Sequence, residues 1–259
     1  SGEATPPPSV NGATGTASAI AAGRSGYFDH SCAIQAGSGA VVCWGFNQYG
    51  QATPPASVNG TAGTASAITA GGYHSCAIQT GTGAVVCWGT GAGDQTPPPL
   101  VSGAFGPASA IAAASGYSCA IHAVTEAVVC WGGHSAEATP PPSVNGSAGN
   151  ASAIAAGDLH SCAIRAATGA VICWGNHSYG QAPPPPSVDG TTGTASAISA
   201  GYLHSCAIRA GTGAVVCWGS PTFGPAAPPP SVDGTAGTAS AISAGTDRNC
   251  AIQTDTSAV

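Results

Sequence analysis

Ten of the eleven cysteines in this chain fall in pairs at one spacing, C-x10-C: Cys32/Cys43, Cys76/Cys87, Cys119/Cys130, Cys162/Cys173 and Cys206/Cys217. Thiols repeated at a fixed spacing serve either metal ligation or disulfide formation. Zinc sites bring ligands two to four residues apart and need four of them, which one such hairpin does not offer. A hairpin turning at Gly37-Ser38 sets residue i opposite 75 − i, so Cys32 faces Cys43 and Ile34 faces Val41. Opposed residues at a non-hydrogen-bonded pair lie close enough for a disulfide. The spacing therefore predicts five intra-hairpin disulfides, no metal and no cofactor. Because disulfides persist in oxidising compartments, it also predicts a secreted or cell-surface protein. Cys250 is left over. Its unit stops at Thr256-Ser257-Ala258-Val259, where V-C-W-G should follow, and the chain starts where such a strand would end, so the missing strand is expected before Ser1 or after Val259.

Other reactive groups form no catalytic pattern. His30, His74, His160 and His204 recur at one repeat position, with Tyr117-Ser118 in the third copy and Asn249 in the sixth. A histidine recurring once per unit reads as a buried hydrogen-bonding residue rather than a ligand ring. The ten carboxylates include no recognisable acid/base pair, and no nucleophile elbow, phosphate loop or zinc-hydrolase signature appears. These observations predict a protein that is not an enzyme.

The elements that carry these residues come from an internal repeat. The phrase A-S-A-I begins at Ala17, Ala65, Ala108, Ala151, Ala195 and Ala239. Each unit runs from a Pro run and an Asn/Asp-Gly turn through A-S-A-I-x-A-G, H-S-C-A-I, a Gly/Thr turn and A-V-V-C-W-G. Short alternating runs bounded by Gly, Pro and Asn are the strand-and-turn pattern, and helix has almost no support. Three or four strands per unit of about 44 residues match one propeller blade. The expected fold is all-β: one β-propeller domain over residues 1–259, six- or seven-bladed. Its repeats lie near 5–50, 51–95, 96–138, 139–181, 182–226 and 227–259, the last incomplete. Runs beginning at Pro6, Pro54, Pro97, Pro140, Pro183 and Pro228 read as connectors shielding blade edges. They are also candidates for proline modification or lateral contact in a matrix.

Composition narrows the partners. Only 5% of residues are charged, the net charge is −6, and four arginines are the only reliable cations, so nucleic acid and anionic membranes are disfavoured. No apolar run approaches the roughly 20 residues of a spanning helix, and no signal-peptide pattern opens the chain.

The phrases around Trp44-Gly-Phe-Asn-Gln-Tyr-Gly-Gln51 and Trp174-Gly-Asn-His-Ser-Tyr-Gly-Gln181, each preceded by H-S-C-A-I, resemble the repeat of the regulator of chromosome condensation family. Within that family the units look most like those of the secreted β-lactamase inhibitor proteins. The resemblance implies a seven-bladed propeller in which one terminus lends a strand to the blade at the other end. Chromatin binding does not fit four arginines and a disulfide ladder. The five tryptophans share one repeat slot and read as blade-packing residues.

Two stretches differ between otherwise similar repeats, one after A-G and one after W-G. Aromatics gathered there have the composition of a binding hot spot. The candidate face comprises Tyr27, Phe28, Phe46, Tyr49, Tyr73, Tyr117, Leu159, Tyr179, Tyr202, Leu203, Phe223 and Arg248. Sequons at Asn59, Asn145, Asn150 and Asn176 fall on predicted turns where a glycan could sit, making the chain a candidate glycoprotein. Together these readings predict a secreted, non-catalytic scaffold or recognition module that binds a protein, a glycan or copies of itself in a surface or matrix assembly. The alternative is a secreted enzyme inhibitor of the β-lactamase-inhibitor kind.

Overall fold

Six small antiparallel sheets repeat one strand order. The computed structural model describes residues 5–23, 29–90, 95–133, 136–220, 227–254, 256, 258 and 259. The first sheet is β1 (Ala17–Ala22), β2 (His30–Gln35) and β3 (Val41–Gly45), and the second is β4 (Ala65–Ala70), β5 (His74–Gln79) and β6 (Val85–Gly89). The third comprises β7 (Ala108–Ala113), β8 (Tyr117–His122) and β9 (Val128–Gly132), and the fourth β10 (Ala151–Ala156), β11 (His160–Arg165) and β12 (Val171–Gly175). The fifth is β13 (Ala195–Ala200), β14 (His204–Arg209) and β15 (Val215–Gly219); the sixth has, among the described residues, β16 (Ala239–Ala244) and β17 (Asn249–Gln253). Among the described residues the one helical segment is the 3-10 turn Ala136–Ala138, and no helix is long and apolar enough to cross a membrane. The strands fall into two compact units, Ser1–Thr125 with Val129–His134, and Glu126–Val128 with Ser135–Val259.

The recurring serine of A-S-A-I has a structural role that alternation alone does not reveal. Every first strand shifts register at that residue, as between Ala17 and Ala19. Such a bulge leaves a ladder group unpaired. The serine hydroxyl compensates: Ser18 Oγ donates to the Ile34 carbonyl at 3.4 Å, and Ser66 Oγ to that of Ile78 at 3.3 Å.

The second hairpin has the expected register, with Cys32 opposite Cys43 and Ile34 opposite Val41, and its counterparts repeat it. Its turn is wider than the two-residue Gly37-Ser38 turn the spacing suggests. The last ladder bond is Gln35 N–H to the Ala40 carbonyl, and Gly39 N–H returns to the Gln35 carbonyl. Gly37 and Gly39 both take positive φ, 87° and 71°, which glycine adopts without penalty. The register survives because the wider loop still closes symmetrically about the same centre. Five disulfides, Cys32–Cys43, Cys76–Cys87, Cys119–Cys130, Cys162–Cys173 and Cys206–Cys217, join opposed Cα atoms 4.0–4.1 Å apart.

Cores lie between successive sheets within each unit. In the first unit, Ile34, Val41 and Val58 pack with Ala65, Ala77, Val86 and Trp88, so the tryptophan of one sheet covers the cystine hairpin of the sheet before it. Trp131 does the same over Cys76, Ile78 and Val85. In the second unit Trp218 covers Ile164 and Val171. The Pro runs start turns whose buried valine closes the outer edge: Val58 N–H donates to Pro55, and the Val58 carbonyl accepts from Val41.

Candidate functional site

The loops that follow W-G are braced from within. In the first repeat Tyr49 N–H donates to Gln51 Oε1 at 3.0 Å. Asn47 Oδ1 accepts from Ala52 N–H at 2.8 Å, and Asn47 Nδ2 donates to Thr53 Oγ1 at 2.8 Å. Gln51 is wholly buried, and its carbonyl accepts from Trp88 Nε1 at 2.9 Å and Ser75 Oγ at 3.0 Å in the next sheet. The fourth repeat has the same plan. Tyr179 N–H donates to Gln181 Oε1 at 2.9 Å, and the Gln181 carbonyl accepts from Trp218 Nε1 and Ser205 Oγ at 3.0 and 3.2 Å. The glutamine of Y-G-Q thus couples a tyrosine-bearing loop to the core of the following sheet. Sequence reasoning missed this brace, although Y-G-Q at matching offsets was its visible signal.

What the loop presents is aromatic. Tyr49 is 38% exposed and Tyr179 51%. Tyr49 stands edge-on to Tyr73, ring centroids 5.5 Å apart at 83°, and Phe46 lies 6.0 Å from Tyr49. Three candidates from two variable stretches therefore form one cluster in the first unit. In the second unit Leu159 and Tyr202 are half-buried, and Arg248 is exposed beside Asp247 at 3.5 Å. Two candidates point inward instead: Tyr117 is 2% exposed and Leu203 3%, so neither side chain can serve a surface. Tyr27, Phe28 and Phe223 lie outside the described residues.

The recurring histidines hold sheets together within each unit. His30 Nε2 meets Ser75 Oγ at 2.7 Å, His74 Nε2 meets Ser118 Oγ at 2.7 Å, and His160 Nε2 meets Ser205 Oγ at 2.7 Å. Because Ser75 spends its proton on the Gln51 carbonyl, His30 must donate from Nε2, which fixes the neutral tautomer. Burial pushes the His30 imidazole down from 6.5 to about 4, against an upward pull from the Asp29 carboxylate. Burial likewise pushes His74 to about 4, with His30 adding to the fall. The sixth repeat corrects one sequence assignment. His204 Nε2 lies 2.7 Å from Asn249 Oδ1, so Asn249 occupies the serine slot, and Arg248 stands where the histidine would be.

Of the sequon asparagines, Asn59 and Asn145 sit at bends, and Asn150 and Asn176 in irregular segments next to strands. Asn59 Nδ2 donates to the Pro54 carbonyl at 3.2 Å, and Asn145 Nδ2 to that of Pro140 at 3.2 Å. Asp189 and Asp233 fill the same slot in later repeats, each accepting from a threonine N–H at 2.8 Å. Asn150 Nδ2 reaches Glu126 Oε2 at 3.4 Å, and Asn176 is exposed, its Oδ1 accepting from Ser178 N–H at 2.9 Å. Among the described residues no three His, Cys, Asp or Glu side chains converge as a metal site would require.

Residues 151–181 and 195–224 match the model of the regulator of chromosome condensation (RCC1) repeat. The chain therefore carries the repeat that its motifs suggested. No curated protein sequence matches it significantly. Among solved structures, it is similar to the entire ectodomain of the Physcomitrella patens receptor kinase CR4, with 22% identity over 93% of this chain and a TM-score of 0.72. It spans 62% of that ectodomain. It is also similar to the CRINKLY WD40 ectodomain of the Arabidopsis thaliana receptor kinase ACR4, with 22% identity, 93% and 92% of the two chains covered and a TM-score of 0.54. Prp20p from Saccharomyces cerevisiae, studied for its binding to Gsp1p and histones, gives 18% identity, coverage of 92% and 69%, and a TM-score of 0.69. At these identities the likeness establishes the fold, an all-β propeller type built of about six repeats, and the five intra-repeat disulfides are read from this chain itself.

Proposed function

We infer that this disulfide-stitched set of RCC1-type repeats is an extracellular, non-catalytic protein-binding module, engaging its partner through the braced aromatic loops. The observation that carries this reading is the Phe46–Tyr49–Tyr73 cluster, assembled from the two stretches that vary between repeats and fixed by Asn47 and Gln51. Rigid, part-exposed aromatics offer large contact area at small ordering cost, which is the make-up of interface hot spots. The five cystines support an oxidising compartment. The likeness to two plant receptor ectodomains and to Prp20p is consistent with a protein partner. Four arginines and a net charge of −6 disfavour nucleic acid as the partner.

Purified chain screened by biolayer interferometry against arrayed extracellular domains should give a hit. That hit should be weakened at least about tenfold by Tyr49→Ala, the loss expected for a hot-spot tyrosine, without a change in melting temperature. A hit that ignores Tyr49→Ala and Tyr73→Ala, or binding confined to a glycan array, would overturn the reading.

A further inference from the structure

Three positions in the second compact unit depart together from the repeat. In three other repeats the hairpin turn ends on a glycine that faces a threonine. A Cβ on Gly39, Gly169 or Gly213 would lie 3.1, 3.1 or 2.9 Å from Cβ of Thr64, Thr194 or Thr238. In the third repeat that glycine is replaced by Glu126, at φ 54°, and the facing threonine by Asn150, whose Nδ2 lies 3.4 Å from Glu126 Oε2. The third departure is Arg165, at the slot held by Gln35, Gln79 and Gln253. Gln79 Nε2 donates to the Ser57 carbonyl at 3.1 Å. Arg165 Nε is instead buried without a hydrogen-bond partner.

These three residues line one cavity of about 360 Å³, with Gly149 and three alanines. A Cβ on Gly149 would lie 3.4 Å from Arg165 Nη2, so the guanidinium rests against that glycine. Glu126 and Arg165 bring opposite charges to the same cavity, yet among the described residues they form no ion pair. Two charges placed only to cancel each other would close into contact. A buried donor with no acceptor and a non-glycine residue held in left-handed backbone are features that functional sites retain.

We propose that this cavity binds a small zwitterion, an amino acid or short peptide, with its carboxylate on Arg165 and its ammonium between Glu126 and Asn150. A planar guanidinium holds a carboxylate through two parallel hydrogen bonds. The Glu126 carboxylate and Asn150 Oδ1 supply the acceptors that an ammonium needs. A simple anion would be repelled by Glu126 and a simple cation by Arg165, so the cavity selects both charges on one molecule. Its volume lies in the range of small-ligand pockets. Arg165 ends β11 and His160 begins it, so the cavity lies at the far end of that sheet from the variable loops. The proposal is therefore independent of the aromatic binding face.

The test titrates the whole chain, free of N-linked glycan, at low ionic strength, with binding read by saturation-transfer difference NMR. Glycine and glycylglycine are the zwitterions; N-acetylglycine and glycinamide each lack one charge. The better zwitterion should bind with a dissociation constant of about 1 mM, as suits a ligand of that size, and at least about tenfold tighter than either singly charged analogue. Whether glycine or glycylglycine binds more tightly distinguishes a free amino acid from a peptide. Arg165→Gln and Glu126→Gly introduce residues that other repeats have at these slots, so both variants should fold, and each should remove the preference for the zwitterion. Arg209→Gln should leave binding unchanged, because Gly169 and Thr194 stand there in place of Glu126 and Asn150. Equal binding of zwitterions and analogues, a preference that survives Arg165→Gln, an equal loss with Arg209→Gln, or no zwitterion binding at about 50 mM would each overturn the proposal.

Discussion

A buried imidazole that must stay neutral ties stability to pH. His30 and His74 have folded values of about 4 against 6.5 in water, so the unfolded chain binds their protons first as pH falls. Their contribution is whole above 6.5 and is lost between 6.5 and about 4, by up to about 3 kcal/mol per ring if the shift is complete. The urea midpoint should be flat from pH 7 to 8 and fall below 6.5, and His74→Gln, which keeps a donor for Ser118, should flatten part of the fall. The same rings, together with a backbone carbonyl of the next sheet, explain the glycine before them. A Cβ on Gly157 would lie 2.5 Å from the Gly201 carbonyl and 2.8 Å from His160 Cε1. In the third repeat the glycine is Ala114 and the histidine is Tyr117, a paired change within one unit. Gly157→Ala should therefore cost about 1–3 kcal/mol by overpacking. Adding His160→Tyr should recover part of it, seen as a coupling of about 1 kcal/mol in a double-mutant cycle by denaturant unfolding. The recurrence of histidine was legible in the sequence, but its partner was not. The serine it meets lies some 45 residues away, one period on, and only the packed sheets bring it within 2.7 Å. The slip over Asn249 has the same origin, since the final repeat lacks the landmarks that would align it.

At the scale of the element, hairpin register was readable because C-x10-C admits one symmetric pairing centre. Turn length and the first-strand bulge were not, since both satisfy the same alternation. In one described turn, a slot that glycine fills in four others holds a different residue. Glu126 takes φ 54° at the slot filled by Gly39, Gly83, Gly169 and Gly213 elsewhere. A non-glycine residue there is strained by about 1–2 kcal/mol. Glu126→Gly should raise the melting temperature, partly offset by the added freedom of the unfolded chain; differential scanning calorimetry that finds no rise would mean that the 3.4 Å contact of Glu126 with Asn150 outweighs the strain.

For the whole molecule, the period of the repeat disclosed the all-β architecture and the sheet count, because near-identical units must make near-identical sheets. The candidate face was only partly legible. Composition marked Tyr49, Tyr73 and Tyr179 for display, and equally marked Tyr117 and Leu203, which packing buries. Sequence variability between repeats does not distinguish a displayed side chain from one filling a local gap. What joins the fold to its extracellular reading is the cystine ladder, and it can be counted directly. Denatured without reductant, the chain should take up iodoacetamide at one cysteine, in the proteolytic peptide that holds Cys250. After reduction, all eleven should react, and the intact mass before alkylation should have risen by two hydrogens for each of the five bridges. Labelling at any of the ten paired cysteines before reduction would contradict the account.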